Sequence, residues 1–422
     1  MMRLIYWLLF AAVLCSELGI IWALLFCNDK KLAKKYELTR EQSACSMKYE
    51  YVLMIPVFDE VKGINASYKH FSEIAKNNVH CVYITTEKEV ARYGTCKTKD
   101  CLELLMKKEP NTNVHVFHYP KTTGNKVDQL NYFISSNAER LKNPTVFLLD
   151  YDCDSRPELH TIHDIDQILK KYPSANVLQQ NSRFWSVNKK SVILNLEAMY
   201  QTRWSFGFER INQYRSTVKW MNKLFVPFAY CVGHGMCIRA EYLLGKIGFF
   251  PQPLEDVPLG MMLTLLKEPI YPCISKDLAE IVPTTKALLK QAGHWLRSPL
   301  QAIPMYNRAK GIERISPYRT ALYYIRMALD VLSWVQYLAL LFVSVLLVAY
   351  NPMYIVGYMA FLYATSLLSM ILLNKYKKNG EWRVTLLFVV LLPLRHFIRG
   401  MSIFSFAYQK IFGWFYDKGK NQ

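Results

Sequence analysis

Charge is scarce in this chain. Asp, Glu, Lys and Arg make up 20% of its 422 residues, against 52% hydrophobic and 14% aromatic. Glycine and proline are sparse too, at 17 and 18 residues. Their scarcity excludes a collagen-like or low-complexity chain, and so much apolar side chain excludes a disordered one. Acids are the minority among the charges: 33 Asp and Glu face 52 Lys and Arg, a formal surplus of +19. The ten cysteines form no CxxC pair and have no His-rich partner. Zinc therefore lacks its usual signature, and reduced cytoplasmic thiols are expected. Neither GxGxxG after the first strand-like run nor GxxxxGK(S/T) anywhere is present, which removes the main support for a dinucleotide-binding or P-loop protein.

Long apolar runs are what the sequence has instead. Leu4–Cys27, interrupted only by Glu17, is long enough for a hydrocarbon core about 30 Å thick at about 1.5 Å per residue. A signal peptide also begins with an apolar stretch, but here the basic start is Arg3 alone and no small-x-small cleavage site follows. Val331–Tyr350 and Met353–Leu373, split by Asn351 and Pro352, read as a transmembrane hairpin. Val384–Leu394 is shorter, with Arg395, His396 and Arg399 after it; it fits a span, a re-entrant segment or an interfacial helix. Lys30, Lys31, Lys34, Lys35 and Arg40 follow the first run, so the residues beyond it are expected to face the cytoplasm.

The surplus charge then has a location. Residues 284–326 hold eight Lys or Arg and one acid, and residues 375–422 hold nine and two, a surplus of seven in each segment beside an apolar run. Membrane lipids and an anionic substrate account for this placement. A nucleic-acid-binding face would more often be soluble and interleaved with aromatics, so no nucleic-acid partner is expected. The expected layout is a transmembrane helix at 1–28, a cytoplasmic domain at 29–300, basic interfacial helices at 301–330, a transmembrane region of two or three helices at 331–410 and a basic tail at 411–422.

Within the soluble stretch, β-branched apolar runs recur at Tyr51–Phe58, Val79–Thr86, Asn113–Tyr119, Thr145–Tyr151 and Asn176–Gln180. Helix-like stretches such as Ile64–Lys76, Val127–Leu141 and Ile162–Lys171 separate them. This alternation predicts an α/β domain with a mainly parallel sheet covered by helices on both faces. Ligands of such sheets bind at the carboxyl ends of strands, which singles out the loops at 58–62, 85–88, 120–126 and 150–157. One of them crowds Asp150, Asp152 and Asp154 at the end of TVFLLD, on one side if the strand continues. A divalent cation is a common remedy for such repulsion; an acidic turn capping the next helix is the alternative.

These acids belong to an ordered series: YVLMIPVFDE (51–60), KTTGNKVDQLN (121–131), the Asp150–Asp152 pair, VGHGMCIR (232–239), LEDVPLGMML (254–263), VPTT (282–285) and QAGHW (291–295). In this order and spacing the chain resembles the membrane-bound inverting glycosyltransferases of family 2, the group of chitin, hyaluronan, cellulose and capsule synthases. The resemblance covers roughly residues 50–300. It implies a GT-A fold, Rossmann-like, joined to α-helical transmembrane segments, and a metal-dependent hexosyltransferase acting on a nucleotide sugar, UDP-linked by expectation, with Mg²⁺ or Mn²⁺.

Residue by residue, the resemblance implies that Pro56, Asp59 and Glu60 border the nucleotide pocket, although one of the two acids would equally cap the following helix. Glu87 stands where family members contact the base. Gly124 and Lys126 match a basic GK-like turn, with Asn125 intervening, and Lys126 would offset diphosphate charge. Asp150 would contact the nucleotide and Asp152 the metal. In the Glu255–Asp256 pair, Asp256 would be the general base that deprotonates the acceptor hydroxyl; an N-cap pair is the structural alternative, and the two are compatible. Gln291 and Trp295 stand for the family's QxxRW, but its Arg is His294 here, which leaves His294 or Arg297 to supply the cation. His234 between two glycines would approach the acceptor or serve as a packed core histidine. Glu17 is costly in a membrane unless it faces a cavity or a partner.

The resulting expectation is an enzyme of a bacterial inner or plasma membrane that adds sugar to a growing polysaccharide, coupled to its secretion. Two alternatives stay open. One is a non-processive transferase using a lipid-linked acceptor, favoured by the altered QxxRW. The other is a non-catalytic nucleotide-sugar-binding transport or scaffold protein.

Overall fold

The computed structural model describes residues 1–37, 48–188, 190–252, 254–374, 391–398, 400, 401 and 406. Arg40, the tail 411–422 and all but the last four residues of Val384–Leu394 lie outside the described residues.

Eight strands form one sheet: β1 (Glu50–Pro56), β2 (Val79–Thr86), β3 (Val114–Tyr119), β4 (Val146–Asp150), β5 (Arg156–Pro157), β6 (Val177–Trp185), β7 (Met236–Arg239) and β8 (Ile270–Glu280). Their order is β3-β2-β1-β4-β7-β6-β8-β5. The side formed by β1 to β4 is parallel, as the βα alternation requires. Beyond β4 the sheet is mixed: β7 is antiparallel to both β4 and β6, and β5 is antiparallel to β8. The sequence predicts a mainly parallel sheet because the strand that breaks the pattern, β7, is only four residues long.

The strands are apolar on both faces because both faces are covered. Val52 and Met54 of β1, with Ile84 and Leu148, join one buried cluster, while Tyr51, Leu53 and Ile55, with Tyr83 and Leu149, join another. Period-two alternation therefore feeds two cores.

Among the described residues, three helices are long and apolar enough to cross a membrane: Met2–Phe26, Pro317–Leu347 and Met353–Leu373. They pack together and against a helix of the sheet domain, Val192–Trp204, which continues through a π-helical turn, Ser205–Glu209. Leu196, Met199, Tyr200 and Phe206 bury themselves among Val13, Ile20, Leu340, Val343 and Tyr358. Glu17 is buried within this bundle, ion-paired with Arg203 and accepting a hydrogen bond from Tyr337 Oη, and Arg203 Nε donates to Ser369 Oγ at 2.8 Å. The acid in the first apolar run thus has a partner.

Candidate active site

The site forms where β4 ends. Asp150 is the last residue of β4, and its carboxylate is buried. Opposite it, the helix Lys126–Ser136 is started by a reciprocal cap: Asn125 Oδ1 accepts from the Asp128 N–H at 3.2 Å and Asp128 Oδ2 accepts from the Asn125 N–H at 2.7 Å. The cap fixes Lys126 at the first helical position. Its ammonium lies 3.1 Å from Asp150 Oδ2, 2.8 Å from Asp152 Oδ1 and 3.2 Å from Glu255 Oε1, and it donates to the Gly233 carbonyl. Burial works against its charge, but the carboxylates outweigh burial and hold its pKa well above the ordinary lysine value. Asp150 is pushed up, first by burial, with Lys126 opposing and Glu255 and Asp152 reinforcing. Desolvation also pushes Asp152 upward, but Lys126 and His234 bring it below the usual carboxylate value.

Asp256 caps the helix Val257–Leu265, its Oδ1 accepting from the Val257 N–H at 2.6 Å. Burial raises its pKa to about 7, aided by neighbouring Glu255 and opposed by the Val257 N–H and Lys126. The capping role and a place in the site coincide in one residue.

His234 sits on a loop that needs its glycines. Gly235 has φ +70°, a backbone region that glycine reaches without strain. A Cβ on Gly233 would lie 2.7 Å from Glu255 Oε1. Gln179 holds the loop at both ends, donating to the His234 carbonyl at 2.9 Å and accepting from the Val232 N–H at 3.0 Å. His234 Nδ1 lies 2.7 Å from Oδ2 of fully buried Asp277. Burial favours the neutral ring, but Asp277 overcomes it and raises the histidine to about 9. Gly233→Ala is expected to displace Glu255 from Lys126 and to lower activity more than thermal stability, read by comparing kcat/KM with Tm; full retention of activity would show that the close approach is dispensable.

A cavity of about 640 Å³ opens from this cluster. Lys126, Asp152, Asp154, His234, Glu255, Asp256, Gln291 and Trp295 all line it, so residues from five separate sequence segments converge. Asp150 lies beneath it, paired with Lys126. Pro56, Asp59, Glu60 and Glu87 occupy the neighbouring strand ends and are not among its lining residues. There Tyr93 Oη donates to Asp59 Oδ2 at 2.7 Å, Glu87 Oε2 pairs with His118 Nε2 at 2.9 Å, and Glu60 is raised to about 7 by burial and by Asp154 and Asp152. Arg297 is exposed and does not line the cavity. His294 lies on the helix Thr285–Trp295, but its side chain is outside the described residues.

Several lining residues carry no signal in the sequence: Glu197, Gln201, Trp204, Glu209, Tyr230, Asp330, Trp334 and Arg395. Arg395 Nε donates to Glu197 Oε2 at 2.9 Å. Trp204 Nε1 donates to Tyr230 Oη at 2.6 Å, and Tyr230 Oη to Glu209 Oε1 at 3.2 Å. Glu209 is raised to about 7 by burial, with Ser205 and Tyr230 opposing. Its position at the end of the π-helical turn is the one local clue, since such turns are frequent at functional sites.

Among the described residues, no group of three or more His, Cys, Asp or Glu is arranged to hold a metal ion; the Lys126 ammonium stands between the carboxylates. The donor set nevertheless suits a hard cation. Asp150 Oδ1 is buried without a hydrogen-bond donor, Oδ2 faces the Lys126 ammonium at 3.1 Å, and the Asp152 side chain is 44% exposed toward the cavity.

The raised acids have a consequence for stability. Glu60, Glu209 and Asp256 rise to about 7 and Asp154 to about 6. The folded chain therefore keeps protons that the unfolded chain releases as pH climbs from near the ordinary carboxylate values toward 7, and stability falls across that window. His234 acts in the same direction, its contribution being present below its ordinary value and lost as pH passes about 9. The Tm of the ligand-free protein is expected to decline from pH 5 to pH 8; a rise would contradict this electrostatic picture.

No protein-family model matches the sequence, and no curated protein matches it. The fold does have matches. The mannosyltransferase PcManGT from Pyrobaculum calidifontis, solved in complex with GDP-Man and Mn²⁺, aligns with a TM-score of 0.56 over 97% of this chain and 100% of its own, at 13% identity. TarS residues 1–349 from S. aureus, in complex with UDP, aligns at a TM-score of 0.37 and 12% identity over 80% of this chain and 94% of its own. The chain shares the fold of the mannosyltransferase: a mixed sheet with covering helices, accompanied among the described residues by three apolar helices.

Proposed function

We propose that this protein is a membrane-embedded, metal-assisted, inverting glycosyltransferase that moves a sugar from a nucleotide donor to a saccharide acceptor at the cytoplasmic face of a bacterial membrane. The observation that carries this reading is the single cavity that places Asp256 beside the Lys126–Asp152–Glu255 cluster and reaches Trp334, at the start of the apolar part of Pro317–Leu347. In this reading residues 1–28 and the region 331–410 supply the membrane spans, 29–300 form the catalytic domain, and 301–330 lie on the lipid surface.

Asp256 would take the proton of an acceptor hydroxyl, and the freed oxygen would attack the anomeric carbon opposite the departing nucleoside diphosphate, which inverts that centre. A sugar hydroxyl is a poor nucleophile at neutral pH, so the base contributes directly to the rate. Lys126 would face the leaving diphosphate. A Mg²⁺ or Mn²⁺ held by Asp152, Asp150 and the donor would neutralise charge on that leaving group. Asp59, Glu60, Glu87 and Pro56, one strand end away, would border the donor's nucleoside.

The geometry favours a lipid-linked acceptor glycosylated once. Among the described residues, the cavity lining includes nothing from Met2–Phe26 and, from Pro317–Leu347, only Asp330 and Trp334, and the core of the apolar bundle is packed. A growing polysaccharide is the second reading, supported by Gln291 and Trp295 facing the cavity together. Purified protein assayed with UDP- and GDP-sugars, Mg²⁺ and Mn²⁺ is expected to release nucleoside diphosphate, and Asp152→Ala to stop the release. A single organic-extractable product supports the lipid acceptor and high-mass product the polymer. No turnover with any donor, with Asp152→Ala indistinguishable, overturns the enzyme reading.

A further inference from the structure

A short helix of the sheet domain, Lys219–Leu224, turns large apolar side chains outward. Trp220 is 54% exposed, Leu224 49% and Phe225, next in the chain, 52%. The Trp220 and Phe225 rings meet edge to face with centroids 5.8 Å apart. The turn that leaves Phe225 outside is strained: Val226 is fully buried at φ +44°, a conformation that a β-branched residue keeps only where its surroundings impose it. Large apolar groups held together at the surface in this way mark a contact face.

The neighbours of this patch are the ends of two apolar helices. From Pro317–Leu347, Tyr318 Oη donates to the Leu224 carbonyl and Arg326 Nη2 to the Phe225 carbonyl at 3.3 Å. Arg326 precedes Val331, where the uncharged run begins, by about 7.5 Å of helix. From Met2–Phe26, the Trp22 ring centroid lies 5.9 Å from the Arg215 guanidinium and the Phe26 ring centroid 4.6 Å from Lys31 Nζ. Trp22, Phe26, Tyr318 and Ile325 are themselves exposed. The charge here is of one sign: residues 211–226 carry Arg215, Lys219 and Lys223 and no acid, and residues 320–329 carry Arg326 and no acid. Asp29, just beyond Phe26, is taken up by Arg210 at 2.7 Å and Lys276 at 2.8 Å. Exposed aromatics among cations at the end of a span suit the headgroup layer of a membrane containing anionic lipid. A second copy of the chain would oppose the same cations.

Resting on the membrane placement proposed above, we propose that Lys219–Phe225 is a lipid-binding element of the sheet domain. Trp220, Leu224 and Phe225 enter the headgroup layer, and Lys219, Lys223, Arg215 and Arg326 face the phosphates of anionic lipid. Only Val226 and Pro227 separate Phe225 from Phe228, which lines the cavity, so the element ties a wall of the site to the bilayer surface.

The test places the full chain in nanodiscs of phosphatidylcholine, alone or mixed with phosphatidylglycerol, with acyl chains that are unmodified or brominated near the headgroup. Subtracting the fluorescence of Trp220→Phe from that of the unmodified protein isolates Trp220, and Trp7→Phe isolates Trp7, an exposed residue of Met2–Phe26. Bromination is expected to remove most of the Trp220 signal, and more of it when phosphatidylglycerol is present. Trp7 quenched with Trp220 unquenched overturns this inference and leaves the membrane placement standing, whereas neither residue quenched overturns the placement itself. Quenching of Trp220 that ignores phosphatidylglycerol overturns the anionic-lipid assignment. A Trp220 that is unquenched by bromine yet shielded from acrylamide in the water shows a protein partner instead, and overturns it too. If Trp220→Phe does not fold, amide exchange of residues 219–225 in the unmodified protein decides: slower exchange with phosphatidylglycerol than without supports the proposal, and equal exchange overturns it.

Discussion

Asp256→Asn is expected to lower kcat for sugar transfer by about 10²- to 10⁴-fold, the usual contribution of a positioned base, with donor affinity unchanged. Asn is as good a helix cap as Asp, so the helix Val257–Leu265 keeps its start and the loss is chemical. The pH profile gives the second readout. The Asp256 carboxyl stands at about 7 because it is buried next to Glu255, and only its deprotonated form can accept a proton. In the unmodified protein kcat/KM should therefore rise as pH increases through about 7, and that limb should vanish from the residual activity of the variant. An Asp256→Asn protein with unaltered kcat would show that Asp256 is not the base.

Lys126→Met is the second large effect. It leaves Asp150 and Glu255, buried in the absence of ligand, with no cation at 3.1 and 3.2 Å. Removing one partner from a buried ionic cluster costs about 3–5 kcal/mol, which lowers Tm by roughly 6–20 °C for a domain of this size. Mn²⁺ with UDP or GDP should restore more of the Tm in the variant than in the unmodified protein, because the added cation takes over the duty of the ammonium. A variant as stable as the parent would mean that the cluster relaxes or protonates without cost.

The parts of this site legible in the sequence are those whose chemistry is local. TVFLLD reads as a buried strand and ends in acids, and β4 with Asp150 and Asp152 follows. LEDVP reads as both a cap and a catalytic pair; Asp256 caps its helix and lines the cavity. Parts that depend on distant pairing are not legible. Asp277 meets His234 across 43 residues, and Arg395 meets Glu197 across 198. β7 has too few residues to show a period, so its antiparallel pairing with β4 and β6 is not legible. Glu209 looks in sequence like one more helix-surface acid, and only the packing of its helix against the apolar bundle buries it.

The pairing of Glu17 with Arg203 bears on how the chain is made. The two residues are 186 positions apart, so on the proposed topology the first helix enters the bilayer before its counter-charge exists. At a synthesis rate of about 5–20 residues per second, the wait lasts roughly 10–40 s. During that interval the nascent helix has an acid facing lipid, and a chain truncated before Arg203 never leaves that condition. Synthesis of the sheet domain thus supplies the counter-charge of this acid before the two later apolar helices, with Tyr337 among them, are made to close around it.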